Sequence, residues 1–140
     1  MTSRKPVCLI TPPSVFLLDE RVFMSLGILR VAAVLEQAGH PVEMVDLSGV
    51  ENYADVIHAH AAVSAAEAFA ITATTPQIPA AAQICAAIRA VRPTARVLLG
   101  GPHVTLVNAA RKNEQRRGVE GRASAAFLRI AEMFDVLVAG

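Results

Sequence analysis

Short apolar segments alternate with amphipathic helical patterns along the whole of this chain. Five segments have the length and composition of buried strands, and four carry apolar residues at the three- and four-residue spacing of a helix face. Strands that alternate with helices pair in parallel and are covered on both faces. The sequence therefore predicts an α/β fold, flavodoxin-like and doubly wound, whose five-stranded parallel sheet has the order 2-1-3-4-5 with right-handed crossovers.

The boundaries of these elements follow from the same patterns. The predicted strands are 6–10, 42–46, 68–73, 96–99 and 134–138, and the predicted helices are 26–38, 53–66, 79–91 and 123–133. The region after the fourth strand is less regular. Residues 111–122 hold five basic and two acidic side chains with two glycines, and we interpret them as a solvated loop.

Composition narrows the classes of partner and location. The 140 residues are the length of one domain, and their formal net charge of +1 gives no reason to expect nucleic acid or an acidic membrane as a partner. The first apolar run is too short for a signal peptide, so we expect a cytoplasmic location. Residues 68–88 are uncharged, but threonines and prolines interrupt them, which favours a strand, a loop and a helix over a membrane span. Cys8 and Cys85 are expected to be reduced structural thiols.

Three of the predicted strands end in loops rich in threonine, serine, glycine and proline. These loops are residues 11–14, 72–76 and 100–103. The carboxyl ends of parallel strands meet at one edge of the sheet, where ligands bind in open α/β folds. The candidate cofactor-binding residues are therefore Thr11, Pro12, Pro13, Ser14, Thr72, Thr74, Thr75, Pro76, Gly100, Gly101, Pro102 and His103.

The loop after the fourth strand has two interpretations. Gly100 and Gly101 have no Cβ, so a flat or bulky ligand can lie against the main chain, and Pro102 then stiffens the chain. A purely structural tight turn explains the same residues. His103 is either a ligand contact or an exposed turn residue. We predict no catalytic residue. We also predict no metal ligand, because the two-residue spacing of His58 and His60 does not place both on one helix face.

Taken together, several segments resemble the amino-terminal cobalamin-binding domain of cobalamin-dependent radical S-adenosylmethionine enzymes. The segments that carry this resemblance are residues 10–14, 26–40, 45–46, 72–76 and 99–103, in that order. The resemblance spans nearly the whole chain. It implies that residues 1–140 form a cobalamin-binding domain, as the amino-terminal part of a longer enzyme. It further implies that a threonine at the end of the third strand contacts the dimethylbenzimidazole tail of the cofactor, for which Gly100 and Gly101 leave room.

In one loop the chain departs from two further groups of cobalamin proteins. Methionine synthase and the mutases carry D-x-H-x-x-G after the first strand, and its histidine ligates cobalt from below. Residues 11–23 contain no histidine. The family that the chain resembles generally lacks this ligand too, so the resemblance implies cobalamin bound with its benzimidazole off cobalt and no histidine in its place.

Radical chemistry needs residues that this chain does not have. Radical enzymes of this type hold a [4Fe-4S] cluster with C-x-x-x-C-x-x-C, and two isolated cysteines cannot supply that motif. The resemblance therefore assigns S-adenosylmethionine and the cluster to a downstream domain, which is the expected partner. The implied parent is a radical S-adenosylmethionine methyltransferase, to which this chain presents methylcobalamin or cobalamin.

The alternative is a flavodoxin-like nucleotide-binding or interaction module without cobalamin. A receiver needs an acidic cluster after the first strand and a phosphorylatable aspartate after the third, where this chain has Thr-Pro-Pro and Thr-Thr-Pro. A flavin site favours aromatic platforms, and Tyr53 is the one tyrosine. The glycine-rich fingerprint of NAD sites is missing after the first strand. A domain that keeps the fold only as an interaction surface stays open.

Overall fold

The computed structural model describes residues 4–14 and 25–140, which form one sheet with helices on its two faces. The strands are β1 (Val7–Thr11), β2 (Val42–Asp46), β3 (Ala68–Thr72), β4 (Arg96–Gly100) and β5 (Val136–Leu137). The helices are α1 (Leu26–Gln37), α2 (Tyr53–Val63), α3 (Ile78–Val91), α4 (Pro102–Arg116) and α5 (Arg122–Met133), with a 3-10 turn at Thr75–Gln77.

The sheet has the predicted topology. Its order is β2-β1-β3-β4-β5, and every neighbouring pair is parallel. The register aligns the strand ends, so that Thr11 lies beside Asp46 and Thr72 lies beside Gly100. The predicted fold class is therefore confirmed, and the three candidate loops leave the sheet at the same edge.

The two faces of the sheet are covered unequally. One face carries fully buried side chains such as Phe69, Ile71 and Leu99, which join one core with buried residues of α2, α3, α4 and α5. On the opposite face, Leu9 packs with Ile28 and Ala32 of α1 in a much smaller cluster. The prediction that helices cover both faces of the sheet is thus confirmed in full only for the face that carries Phe69, Ile71 and Leu99. The cause is that four of the five described helices pack on one side.

Beyond α1, the second face exposes a strip of partly buried residues, which we call the open strip. Side chains alternate along a strand, so this face carries every second residue of β3, β4 and β5. The open strip consists of Ala70, Thr72, Leu98, Gly100 and Val136, all of intermediate exposure. On β4 the side chains become smaller toward the carboxyl edge, from Leu98 to Gly100, and Gly100 lies beside Thr72. Ala70 forms the border of the strip, where it packs against the α1 cluster.

The prediction of an irregular region after β4 was wrong. Helix α4 runs from Pro102 to Arg116, so the basic segment that begins at Arg111 is helical in its first half rather than a solvated loop. Pro102 occupies the first turn, where its missing N–H costs no hydrogen bond. Helix α4 packs chiefly on α5, and the guanidinium of Arg111 lies 4.1 Å from the centre of the Phe127 ring. Because so little of the helix is buried, most of its residues are polar.

Helix α1 ends as its sequence predicts. Gly39 has a positive φ of 85°, its N–H donates to the carbonyl of Glu36, and the N–H of His40 donates to that of Leu35. These two bonds form a Schellman motif, which satisfies the last carbonyls of the helix. Gly39 and His40 therefore form the carboxyl cap of the helix.

Both cysteines are free and buried, as expected of structural thiols. Burial raises the pKa of the Cys8 thiol to about 12, so Cys8 is protonated at neutral pH. Among the residues that the structure describes, no helix has the length and apolar character needed to cross a membrane.

One carboxylate joins the last two helices. Glu114 of α4 accepts hydrogen bonds from the N–H groups of Gly121, Ala123 and Ser124 at 2.9–3.0 Å, and from the Ser124 hydroxyl at 2.6 Å. These groups form the start of α5, where free N–H donors and the helix dipole favour a negative charge. The hydrogen bonds, led by that of the Ser124 hydroxyl, lower the pKa of Glu114 to about 2.

Replacing Glu114 with glutamine is expected to lower the melting temperature at pH 7. The native carboxylate stays ionised down to about pH 2, whereas the unfolded one is protonated near its ordinary value of 4.5. Its stabilising effect is therefore complete above pH 4.5 and is lost as the pH falls toward 2. Thermal unfolding followed by circular dichroism from pH 7 to pH 3 should show the variant and the parent converging. Glu120→Gln, an exposed neighbour, is the control, and a difference that is constant with pH would contradict the capping role.

Candidate functional site

The three strand-end loops are tied together at the carboxyl edge of the sheet. The side-chain amide of Gln77 donates to the carbonyl of Pro12 at 3.0 Å, which links the loop after β1 to the loop after β3. The N–H of Ala73 donates to the carbonyl of Gly100, and the carbonyl of Ala73 accepts the N–H of His103, each at 3.1 Å. The loops predicted to converge therefore do converge, and their backbones hold one another in place.

Gly101 is required by this junction. Its φ of 95° and ψ of −173° lie in a region that only glycine adopts freely. A Cβ built on it would lie 2.6 Å from the Thr72 hydroxyl and 2.9 Å from the Ala73 nitrogen. The space that the missing side chain leaves is thus filled by β3 itself. Gly101 serves the close approach of two loops, and it does not by itself open room for a ligand.

Gly100 has a different environment. A Cβ on Gly100 would meet only Val138, at 3.6–3.7 Å, which is ordinary contact. It would project from β4 on the face of the open strip, beside Thr72. Of the two glycines, Gly100 is the one whose missing side chain leaves room beside α1.

His103 is buried, with 9% of its surface exposed, so the alternative of an exposed turn residue was wrong. It sits in the first turn of α4 because that helix begins directly after Gly101. Its Nδ1 lies 3.0 Å from the Thr75 hydroxyl. Burial lowers the pKa of His103, which keeps the imidazole neutral at pH 7. His103 and Thr75 together form a neutral polar pair at the edge of the site.

The loop after β3 is organised by a residue that the sequence reasoning missed. The side-chain oxygen of Gln77 accepts the N–H of Thr74 at 2.9 Å and its hydroxyl at 3.1 Å, while the Gln77 amide holds the first loop. Thr74 and Thr75 are exposed, as is Pro76. The pattern Thr-x-x-Gln at 74–77 is a capping-box signature, and this signal could have identified Gln77.

The remaining candidate residues differ in their access to a ligand. Pro12 is fully buried, so it offers a partner only its carbonyl, which Gln77 already holds. Thr11, Pro13 and Ser14 are partly buried, and Pro102 is exposed. Residues 15–24 lie outside the described residues.

A comparison with protein-family models identifies residues 20–131 as a B12 binding domain. No curated protein matches the chain. Among solved structures, the chain is similar to a candidate cystathionine beta-lyase involved in aluminum resistance from Clostridium acetobutylicum, with 15% identity and a TM-score of 0.44. That match covers 69% of this chain and 25% of the other. The family model covers well over half of the sequence, and the chain therefore belongs to the B12-binding domain family and is a cobalamin-binding domain.

Proposed function

We propose that cobalamin lies over the carboxyl edge of the sheet and that its nucleotide tail occupies the open strip beside α1. The observation that carries this proposal is the difference between the two faces of β3 and β4. On the core face, Phe69, Ile71 and Leu99 fill the space beneath α2 and α3. On the other face, the same strands present the small side chains of Ala70, Thr72 and Gly100, all partly exposed.

The residues present fit a large cofactor that carries a flat aromatic ring together with polar groups. The space above β4 increases from Leu98 to Gly100, and at Gly100 a flat aromatic group can lie against the main chain because this residue has no Cβ. Thr72 supplies a hydroxyl at the end of this strip, and the Thr75–His103 pair supplies polar groups at the neighbouring loop. In this proposal these residues bind and orient the cofactor, and the loop ties made by Gln77 keep them in position.

The chemistry itself is proposed to involve a second domain. When bound, cobalamin supplies a cobalt ion that carries a methyl group or an electron. The chain's own part is to hold that group, since its two cysteines cannot bind a [4Fe-4S] cluster. The motif resemblance supports a radical S-adenosylmethionine domain of the same polypeptide as the partner, and methyl transfer as the reaction.

Titration with hydroxocobalamin is expected to give a complex whose absorption spectrum is that of cobalamin with its benzimidazole off cobalt and no histidine in its place. The physical reasons are that a nucleotide tail held in the open strip is kept away from cobalt, and that residues 11–23 offer no histidine to replace it. Ultraviolet-visible spectroscopy measures both the affinity and the ligation state. His103→Asn is the control, because a spectrum that changes in this variant would place a histidine on cobalt and contradict the proposal. So would the absence of any spectral change in the parent chain.

The assignment of the [4Fe-4S] cluster to a partner domain is tested with the chain after it has bound cobalamin. Given S-adenosylmethionine and dithionite, the chain alone is expected to form no 5′-deoxyadenosine. Formation of that product would contradict the assignment of the cluster to another domain, while leaving the cobalamin site untouched.

A further inference from the structure

A cluster of three metal-ligand side chains lies on the core face of the sheet, away from the carboxyl edge. Cys8 of β1 and Glu43 of β2 are register partners, each the second residue of its strand. His60 of α2 lies above them. The imidazole Nε2 of His60 is 2.9 Å from Glu43 Oε2 and 3.8 Å from Cys8 Sγ, and all three ligand atoms lie within 4.8 Å of one another.

The separation of 3.8 Å between His60 and Cys8 is close to that between two ligands of a tetrahedral metal ion, whereas the 2.9 Å between His60 and Glu43 is a hydrogen bond, which a bound ion would replace by moving the two atoms slightly apart. Zinc binds sulfur at about 2.3 Å and nitrogen or oxygen at about 2.0–2.2 Å, which places neighbouring ligand atoms about 3.3–3.6 Å apart. We infer that Cys8, Glu43 and His60 form a binding site for a zinc-type divalent transition-metal ion, separate from the cobalamin site. A thiolate with an imidazole selects zinc over magnesium or calcium, which prefer ligand sets made of oxygen atoms.

The surroundings of the cluster support this site. The Ser64 hydroxyl donates to Glu43 Oε2 at 2.6 Å and accepts the N–H of Ala66 at 3.0 Å, so a second layer of hydrogen bonds orients the carboxylate. Cys8 is fully buried, whereas 33% of the His60 side chain and 27% of the Glu43 side chain are exposed. A metal ion can therefore reach the cluster from solvent, and a water molecule can complete its four ligands. On binding, the thiol releases its proton to solvent.

Sequence spacing does not reveal this cluster. His58 and His60 are neighbours on one helix, whereas the three ligands come from β1, β2 and α2 and meet only in the fold. His58, two residues away on the same helix, is exposed and is not a member of the cluster.

The test uses Co²⁺ as a spectroscopic probe of the cobalamin-free chain. One equivalent is expected to produce the near-ultraviolet thiolate-to-cobalt band together with the intense visible bands of a tetrahedral site, and Zn²⁺ should abolish both by displacement. In Cys8→Ser the thiolate band should vanish. In His60→Gln and Glu43→Gln the affinity for Co²⁺ should fall at least tenfold. Zn²⁺ should raise the melting temperature of the parent chain and not that of His60→Gln.

Two matched variants serve as controls. Cys85→Ser removes the other buried thiol and His58→Gln removes the neighbouring imidazole, and both should bind Co²⁺ like the parent chain. If the parent shows no thiolate band, or if the band survives in Cys8→Ser, the cluster is only a hydrogen-bonded group. Should Cys8→Ser not fold, His60→Gln alone decides, because unchanged Co²⁺ affinity in that variant would overturn the inference. Hydroxocobalamin titration of each variant separates this outcome from failure of the cobalamin site.

Discussion

Replacing Gly101 with valine is expected to lower the free energy of unfolding by about 2–6 kcal/mol. The backbone at φ 95° and ψ −173° is a conformation that costs other residues about 1–3 kcal/mol. The new Cβ would also lie 2.9 Å from the nitrogen and 3.1 Å from the oxygen of Ala73, and forcing extra groups into packed surroundings costs about 1–3 kcal/mol more. A typical domain has a total stability of about 5–15 kcal/mol, so the loss is a large fraction of it.

Urea denaturation followed by circular dichroism measures this loss. Gly100→Ala is the matched control in the adjacent position, and it should change stability by far less, because its Cβ meets only ordinary contacts. The double variant Gly101→Val with Thr72→Ala should recover part of the loss, since it removes the hydroxyl at 2.6 Å but not the backbone of Ala73. If Gly101→Val were as stable as the parent, the tight junction between the loops after β3 and β4 would not exist.

The parallel sheet was predictable because its physical signals are local. Strands that are buried on both sides read as continuous apolar runs, and α1 carries a regular apolar stripe that ends at Gly39. Their alternation leaves few topologies, since crossovers are right-handed and connections are short. Each of the four predicted helices is observed, and its ends lie within three residues of the predicted ones.

Helix α4 could not be read in the same way, because its stability does not come from a buried stripe. Only His103 and Val104 are buried, both in its first turn. The rest of the helix contacts α5, and its residue Glu114 caps the start of α5. These contacts join residues about ten positions apart in two helices. Periodicity within one segment does not report them.

The candidate site was predictable in outline and not in detail. Because ligands bind at the carboxyl ends of parallel strands, the sequence places the threonines and glycines at one edge of the sheet. It cannot distinguish a glycine that faces a ligand from one that faces protein. Gly100 and Gly101 are adjacent in sequence, yet one opens onto the strip beside α1 and the other is closed by Thr72. The difference depends on side-chain alternation in β4 and on where α1 packs, which only the fold determines.

Replacing Gly100 with valine is expected to weaken hydroxocobalamin binding by about 10-fold to 100-fold while the fold is kept. The valine side chain would project into the open strip, where the proposal places the nucleotide tail, and overpacking of that kind costs about 1–3 kcal/mol, with each 1.4 kcal/mol equal to a factor of ten. Valine is well suited to the end of a strand, and Gly100 does not have a positive φ, so the backbone is not strained.

The measurement is the same spectroscopic titration, with circular dichroism and urea denaturation to confirm that the fold is intact. Ala68→Val is the control, because it adds bulk at the amino end of β3, on the same face but away from the candidate site. This control should bind hydroxocobalamin like the parent chain. Because Gly101→Val acts on stability and Gly100→Val acts on binding, the two adjacent glycines should separate the junction from the ligand site. Parent-like affinity in Gly100→Val would place the cofactor tail outside the open strip, since a tail lying against β4 must contact the new side chain.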